Sequence, residues 1–296
     1  MLQICLYRLF RLRRLIVFSV AIPILVVGLI AFFKGQAAMA LVPLAVVPPL
    51  LHALRYPTAW METVTVSVCM AVLLAFAGTI GADVGLLGLA LRLVGLGILG
   101  AVLFIVLSLQ ILNLVSLGVA RPFTARAVRR SSLTPEALRA AITLYPGRED
   151  DKVTCGPAAE DGLFPIRIRH SVPALEGDGI EDFDVDIFGI VLSETDETFE
   201  LMSIPDGGED TSLTQYRFTP VKGGTRVELA ERGVPMTAGY QLGFWLQDYM
   251  ADYLTDEIDR AEGRHVRANR FQIQDQLLTD VTRHFFGGLQ GPDPTE

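Results

Sequence analysis

The sequence predicts a two-part protein: an all-α transmembrane bundle of about four helices, followed by an α+β domain. Two observations lead to this fold class. Between Leu15 and Ala120 only five side chains carry a formal charge, and the apolar runs between them approach the roughly 20 residues that a spanning helix needs. After Ala120 the chain changes to short segments that alternate between apolar and polar residues, which is typical of half-buried strands.

The two parts differ in the sign of their charge. Seven basic and two acidic residues occur up to residue 118, whereas 18 basic and 31 acidic residues follow. Because phosphate binding requires clustered Lys and Arg, the acidic charge of this part argues against nucleic acid as a partner. The cysteines Cys5, Cys69 and Cys155 are far apart and show no metal-ligand spacing. We therefore expect no metal, no disulfide framework and no cofactor.

Four apolar segments are predicted to cross the membrane. They cover residues 15–33, 36–54, 63–80 and about 96–118. The number of spans around residues 81–100 is open, because the stretch 84–120 is longer than one helix and too short for two. Arginine clusters precede the first segment and follow the last, at Arg8, Arg11, Arg13 and Arg14 and at Arg121, Arg126, Arg129 and Arg130. The positive-inside rule then predicts a multi-pass protein of the plasma (inner) membrane with both termini in the cytoplasm.

Ionisable residues within the apolar part could indicate a transport pathway. Arg55, Glu62 and Asp83 fall at predicted helix ends, and His52 lies near the end of the second segment. We interpret these side chains as interfacial groups rather than as a pathway or a ligand site.

The second part begins with a predicted strand at 123–131 and a helix at 135–144. Thr134, Pro135 and Glu136 are favourable residues for the start of that helix. Alternating residues predict strands at 164–170, 183–187, 198–204, 212–219 and 225–232. A glycine-bearing turn joins the last two as a hairpin. The result is an antiparallel sheet with helices on one side.

One long helix is predicted at 238–262. Apolar and aromatic residues recur along it at spacings of three and four: Leu242, Trp245, Leu246, Tyr249, Met250 and Tyr253. Acidic residues are predicted to form an opposite, solvated stripe: Asp248, Asp252, Asp256 and Asp259. The remainder, 264–296, predicts an amphipathic helix and a disordered tail that lies on the membrane surface, covers the sheet or contacts a second copy.

Several of these segments resemble the START/Bet v1-like superfamily, also called SRPBCC or polyketide cyclase-like domains. The resemblance rests on the helix start at Leu133–Leu138, the strand end at Tyr216–Pro220, the hairpin at Gly223–Val227 and the helix end at Ala261–Gly263. It implies a helix-grip fold over residues 121–263, behind a transmembrane region at 1–120. In that fold a curved antiparallel sheet surrounds a long C-terminal helix and leaves an apolar cavity for a lipid, sterol, quinone or polyketide.

The resemblance also gives the candidate ligand-binding residues. They are Phe164, Ile166, Ile168, His170, Trp245, Tyr249 and Tyr253. We expect His170 to be a core or cavity histidine rather than a catalytic base, and we assign no catalytic residue. Three functions stay open: a membrane-anchored binding protein for a hydrophobic small molecule, a cyclase or dehydratase on the same fold, and a regulatory membrane protein whose filled domain binds a protein. The membrane bilayer and a hydrophobic ligand are the expected partners, and a homo-oligomer is compatible with the sequence.

Overall fold

The computed structural model describes residues 2–34, 41–77, 86–173, 180–205 and 211–264. The chain divides into two compact units, with the boundary between Leu117 and Gly118. The predicted tail after Arg264 lies outside the described residues.

The N-terminal unit is helical. Its helices are α1 (Leu2–Arg11), α2 (Arg13–Lys34), α3 (Val42–Arg55), α4 (Trp60–Ala77) and α5 (Leu86–Ser116). Among the described residues, two helical stretches are long and apolar enough to cross a membrane, Arg13–Phe33 and Gly97–Ser116. Helix α3 has 14 residues, which at 1.5 Å per residue gives about 21 Å and falls short of a ~30 Å hydrocarbon layer. The described part of the chain therefore gives two candidate spans where the sequence predicts four.

His52 lies in the last turn of α3 and Glu62 in the first turn of α4, and their interpretation as interfacial groups stays a prediction. Both residues are only 7% exposed, and they face each other between α3 and α4. Arg55, at the end of α3, is exposed as expected, whereas Asp83 lies outside the described residues. The end of α3 and the start of α4 thus bring the polar side chains of His52 and Glu62 together, whereas Arg55 is exposed to solvent.

The C-terminal unit contains the predicted antiparallel sheet and helices. Its strands are β1 (Arg121–Ser131), β2 (Val153–Cys155), β3 (Leu163–Pro173), β4 (Ile180–Glu194), β5 (Thr198–Pro205), β6 (Ser212–Val221) and β7 (Gly224–Met236). Their order in the sheet is β1-β7-β6-β5-β4-β3-β2, and every neighbouring pair is antiparallel. The short strand β2 is not among the sequence-predicted strands, because three residues are too few to show an alternation.

One face of the sheet packs against helices. Helix α6 (Pro135–Ile142) begins as predicted, with the Thr134 hydroxyl accepting a hydrogen bond from the Ala137 amide. Residues of α6, α8 (Tyr249–Ala261) and the inner sheet face are buried together: Leu138, Ile142, Phe164, Ile166, Phe199, Phe218, Val227, Leu254 and Ile258. This side of the sheet therefore carries the core of the unit.

The prediction of one long C-terminal helix is wrong. The structure has two helices, α7 (Ala238–Gln247) and α8, separated by Asp248. Asp248 adopts the left-handed conformation with φ 50° and ψ 40°, and a helix cannot continue through such a residue. Apolar residues recur at spacings of three and four on both sides of Asp248. The sequence pattern across 238–262 therefore gives no sign of the break.

The acidic stripe is also not solvated. Asp252, Asp256 and Asp259 are 6%, 2% and 0% exposed. Basic side chains lie against two of them, with Lys152 Nζ 3.0 Å from Asp256 and Arg264 3.1 Å from Asp259. Carboxylates can be buried when cations neutralise them, and the helical spacing alone does not show where those cations lie.

Candidate functional site

The C-terminal unit contains a partly open cavity of about 250 Å³ between the inner face of the sheet and the helices. Most of its lining is apolar: Phe123, Ala125, Leu144, Ile168, Ile187, Leu229, Met236, Phe244 and Met250. Polar and tyrosine side chains complete it: Ser203, Ser212, Thr214, Glu231, Arg232, Tyr249 and Tyr253.

The strand register collects the polar lining at one place. Ser203 on β5 is paired with Ser212 on β6, and Thr214 on β6 is paired with Glu231 on β7. Paired residues project from the same side of a sheet with their Cβ atoms about 5 Å apart. Three hydroxyls and a carboxylate therefore line one part of a mainly apolar cavity.

Aromatic rings form the opposite side. The Phe244 ring, on α7, lies 4.5 Å from the Tyr249 ring at the start of α8, and 5.8 Å from the Phe123 ring of β1. The break at Asp248 places residues of the two helices on this wall. Tyr253 follows Tyr249 by one helical turn and also lines the cavity.

Three of the predicted ligand-binding residues line the cavity: Ile168, Tyr249 and Tyr253. Phe164 and Ile166 are instead fully buried in the core. If Gly189 carried a Cβ atom, that atom would lie 2.9 Å from the Phe164 side chain and 2.7 Å from the Ile166 side chain. Because Gly189 on β4 has no side chain, there is room for both, and neither belongs to the cavity lining.

The other two predicted residues are placed differently. Trp245 is 53% exposed and is not part of the cavity lining, because it belongs to α7 and the break at Asp248 interrupts the stripe that contains it. His170 lies on β3 opposite Phe183 of β4. The ring of His170 is outside the described part of the structure.

The sequence patterns do not identify the polar residues of the cavity as site residues. Ser203, Ser212, Thr214 and Glu231 occupy inward positions of strands that were predicted correctly. Period-two alternation does mark those positions, and they are polar where the rest of the inward pattern is apolar. Which of them meet across strands depends on the register, which the alternation leaves open.

The described lining residues include one carboxylate, Glu231, and no histidine or cysteine. The described residues also contain no cluster of His, Cys, Asp or Glu that could hold a metal ion. Cys155 is in the core, and its burial raises the pKa of the thiol to about 11, against the opposing effect of Arg148. Its thiol is therefore protonated at neutral pH and is not a ready nucleophile.

A second, polar depression beside the cavity is occupied by its own ion pairs. Arg148 binds Asp150 at 2.6 Å and donates to the Thr143 carbonyl at 3.0 Å. Burial opposes the charge of Asp150, but hydrogen bonds from the Lys152 and Val153 amides and from Arg148 hold the pKa of its carboxyl below the ordinary value. We interpret this cluster as a structural one, whose ion pairs and hydrogen bonds connect the region of β2 with α8.

Comparisons with known proteins give no family assignment. No protein-family model matches the chain, and no curated protein matches it. Solved structures match at low similarity, and three of them are proteins from Staphylococcus aureus, Chromobacterium violaceum and Thermus thermophilus, the first titled a protein of unknown function. The identities are 14%, 16% and 20%, and the TM-scores are 0.31, 0.28 and 0.30.

These matches cover about half of this chain and most of the other chains. The shares of this chain are 49%, 43% and 48%, and those of the other chains are 91%, 96% and 96%. At such TM-scores the matches assign neither a family nor a function.

Proposed function

We propose that the C-terminal unit is a START/Bet v1-like, helix-grip module that binds a hydrophobic small molecule, and that the N-terminal helices anchor it to the membrane with both termini in the cytoplasm. The observation that carries the proposal is the 250 Å³ apolar cavity between the antiparallel sheet and the helices. Its volume is close to the lower end of the ~300–1,000 Å³ range of small-molecule sites.

The chemistry of the lining favours an amphipathic ligand of the lipid or quinone kind. Burial of apolar surface contributes about 2.5 kcal/mol for each 100 Å² removed from water, so the aliphatic and aromatic walls would supply most of the affinity. The hydroxyls of Ser203, Ser212 and Thr214, with Glu231, would orient the polar end of the ligand. A few convergent polar groups in an apolar pocket are the usual arrangement for this purpose.

The anchor gives the binding module a physical advantage. Helix α5 ends at Ser116, and β1 begins at Arg121, so the two units are joined by a very short connection. A ligand that partitions into the bilayer would meet the cavity at high effective concentration. This arrangement favours a carrier or sensor of membrane-soluble molecules.

The test uses the full chain purified in mild detergent. Native mass spectrometry with lipid extraction should release a stoichiometric apolar molecule, and an apolar fluorophore should bind the delipidated protein. Ala125→Trp fills the cavity and should abolish fluorophore binding. Ala230→Trp is the matched control on the neighbouring strand β7: it lies outside the cavity lining and should leave binding intact.

One result would contradict the proposal. A protein that carries no apolar molecule and takes up no fluorophore, with both variants behaving alike, would show that the cavity is not a binding site. The module would then have to be examined for a protein partner.

A further inference from the structure

We propose that the outer face of the sheet carries a binding site for a phosphate group, separate from the apolar cavity on the inner face. A depression of about 210 Å³ lies across β1, β7 and β6. Each of these strands contributes one arginine to its lining: Arg126, Arg232 and Arg217. Their neighbours Ala127 and Phe218 are buried in the core, so Arg126 and Arg217 project from the opposite, outer face.

The strand register places the three arginines around Ala230 of β7. Ala230 is paired with Arg126 of β1, and Arg232 follows it by two residues on the same strand. Arg217 of β6 is paired with Glu228, two residues before Ala230. Neighbours on one face of a sheet lie about 5–8 Å apart, a distance that an arginine side chain spans. The single methyl group of Ala230 therefore leaves the centre of the group open.

These three guanidiniums take no part in an ion pair or a side-chain hydrogen bond in the described part of the chain, and all three residues are exposed. On the same face of β3 and β4, by contrast, Arg167 lies 2.8 Å from Asp186 and Arg169 lies 3.8 Å from Asp184. Carboxylates are abundant in this part of the chain, with 31 acidic residues against 18 basic ones after residue 118. Because neighbouring like charges on a sheet are destabilising, an unpaired cluster indicates an anion that comes from outside the chain.

The two carboxylates nearest to the depression have partners of their own. Glu228 lines it, and its Oε1 lies 2.8 Å from Nη2 of Arg226. Glu200 accepts a hydrogen bond from Nε2 of Gln215 at 2.6 Å. Four arginines, the three in the lining and Arg226, thus face two carboxylates, which leaves two positive charges uncompensated.

The number of guanidiniums favours phosphate over carboxylate as the anion. A carboxylate has two oxygens, which one arginine fork can satisfy. A phosphate ester offers three acceptor oxygens and about two negative charges, so it can engage several forks at once. Two sources supply this group: a soluble phosphate, or the headgroup of an anionic lipid in the membrane to which we propose the unit is anchored.

Modification by phenylglyoxal tests the site in the full chain, reconstituted in nanodiscs of phosphatidylcholine. Peptide mass spectrometry gives the modification rates of Arg126 and Arg217, which line the depression but not the cavity. Inorganic phosphate at about ten times its Kd should slow both rates roughly tenfold, because only the free site reacts. Arg130 is also exposed on β1 and lies outside the depression, so its rate should not change. Sodium chloride at the same ionic strength should protect none of them.

Nanodiscs that combine phosphatidylcholine with phosphatidic acid, without free phosphate, test the lipid source. Protection by inorganic phosphate alone supports a soluble ligand, and protection by phosphatidic acid alone supports a lipid headgroup. Equal protection of Arg130, or no protection of Arg126 and Arg217 from either source, would overturn the proposal.

Two tryptophan variants separate this site from the cavity. Ala230→Trp fills the depression and should abolish the protection, whereas Ala125→Trp fills the cavity and should leave the protection intact. Arg126→Gln should raise the Kd for the phosphate source that protects roughly tenfold or more, measured at Arg217, because it removes a charge-assisted contact. The matched variant Arg130→Gln removes the same charge from the same strand and should leave that Kd unchanged. Equal effects of the two glutamine variants would contradict a localised site.

Discussion

The guanidinium of Arg129 on β1 lies 4.0 Å from the carboxylate of Asp248, the residue that separates α7 from α8. The same guanidinium donates from Nε to the Thr255 hydroxyl of α8 at 3.0 Å. One side chain of the sheet therefore contacts both the helix break and the helix that follows it. Both contacts lie on the side of α8 that faces β1.

When Asp248 is substituted, the change in stability should depend more on whether the new residue tolerates the left-handed backbone conformation than on its charge. Asp248→Val places a β-branched residue at φ 50°, and we expect it to lower the free energy of unfolding by about 1–3 kcal/mol. Asp248→Asn tolerates the left-handed conformation and weakens the partly exposed ion pair with Arg129, which is worth about 0–1 kcal/mol. Denaturant unfolding of the two variants measures the difference, and equal losses would contradict the backbone argument.

Because of Glu262, the stability of the C-terminal unit should depend on pH in the acidic range. Burial would raise the pKa of this carboxyl, but hydrogen bonds from Ser131 and Ser132 and the charge of Arg264 outweigh it and hold the pKa below 4.5. A lowered pKa in the folded state gives stability that is fully present above about pH 4.5 and is lost as the pH falls through the folded value.

The matching variants separate this carboxylate from the rest of the acidic surface. Glu262→Gln should cost about 1.5–3 kcal/mol at pH 7, the usual worth of hydrogen bonds to a charged group, and less below pH 4. Glu228→Gln, on the outer sheet face, should change little at either pH. Thermal unfolding of the full chain between pH 3 and 7 provides the comparison. Parallel pH profiles for native protein and Glu262→Gln would exclude this role.

Gly189 should resist even a small side chain. A Cβ at this position would lie 2.7 Å from Ile166, 2.9 Å from Phe164 and 3.2 Å from Leu201. Overpacking of a filled core costs about 1–3 kcal/mol, so Gly189→Ala should destabilise the unit by that amount. Ala230→Val on the outer face serves as the control. A stable Gly189→Ala variant would indicate that these side chains repack freely.

Cys155 should be unreactive in the folded protein. Its burial raises the pKa of the thiol to about 11, and the thiolate is the form that reacts. Iodoacetamide at pH 8 should leave Cys155 unmodified until denaturant is added, as followed by peptide mass spectrometry. Labelling of the native protein at the rate of a free thiol would show that the core around β2 opens readily.

The sequence was sufficient for those parts of the fold that depend on local patterns. Six of the seven strands and helix α6 follow from alternation and from the Thr134 cap, because those signals act over a few residues. The break at Asp248 and the burial of Asp256 do not follow, since the first depends on a single backbone angle. The second depends on Lys152, which is distant in sequence.

The candidate site was predicted in part for the same reason. Ile168, Tyr249 and Tyr253 lie on the cavity because inward strand positions and one helix face can be identified from periodicity. Trp245 does not, because the helix break changes its direction. Ser203 and Ser212 become neighbours only through the pairing of β5 with β6, which short-range patterns do not specify.

The arginines after α5 also affect the exposed edge of the sheet. Strand β1 is an outermost strand of the sheet, and it carries Arg121, Arg126, Arg129 and Arg130 along its 11 residues, with Pro122 near its start. An unpaired strand edge of this length invites another chain to add to it, and charge and proline are the usual protection. The residues that suggest a membrane orientation therefore also oppose aggregation through β1.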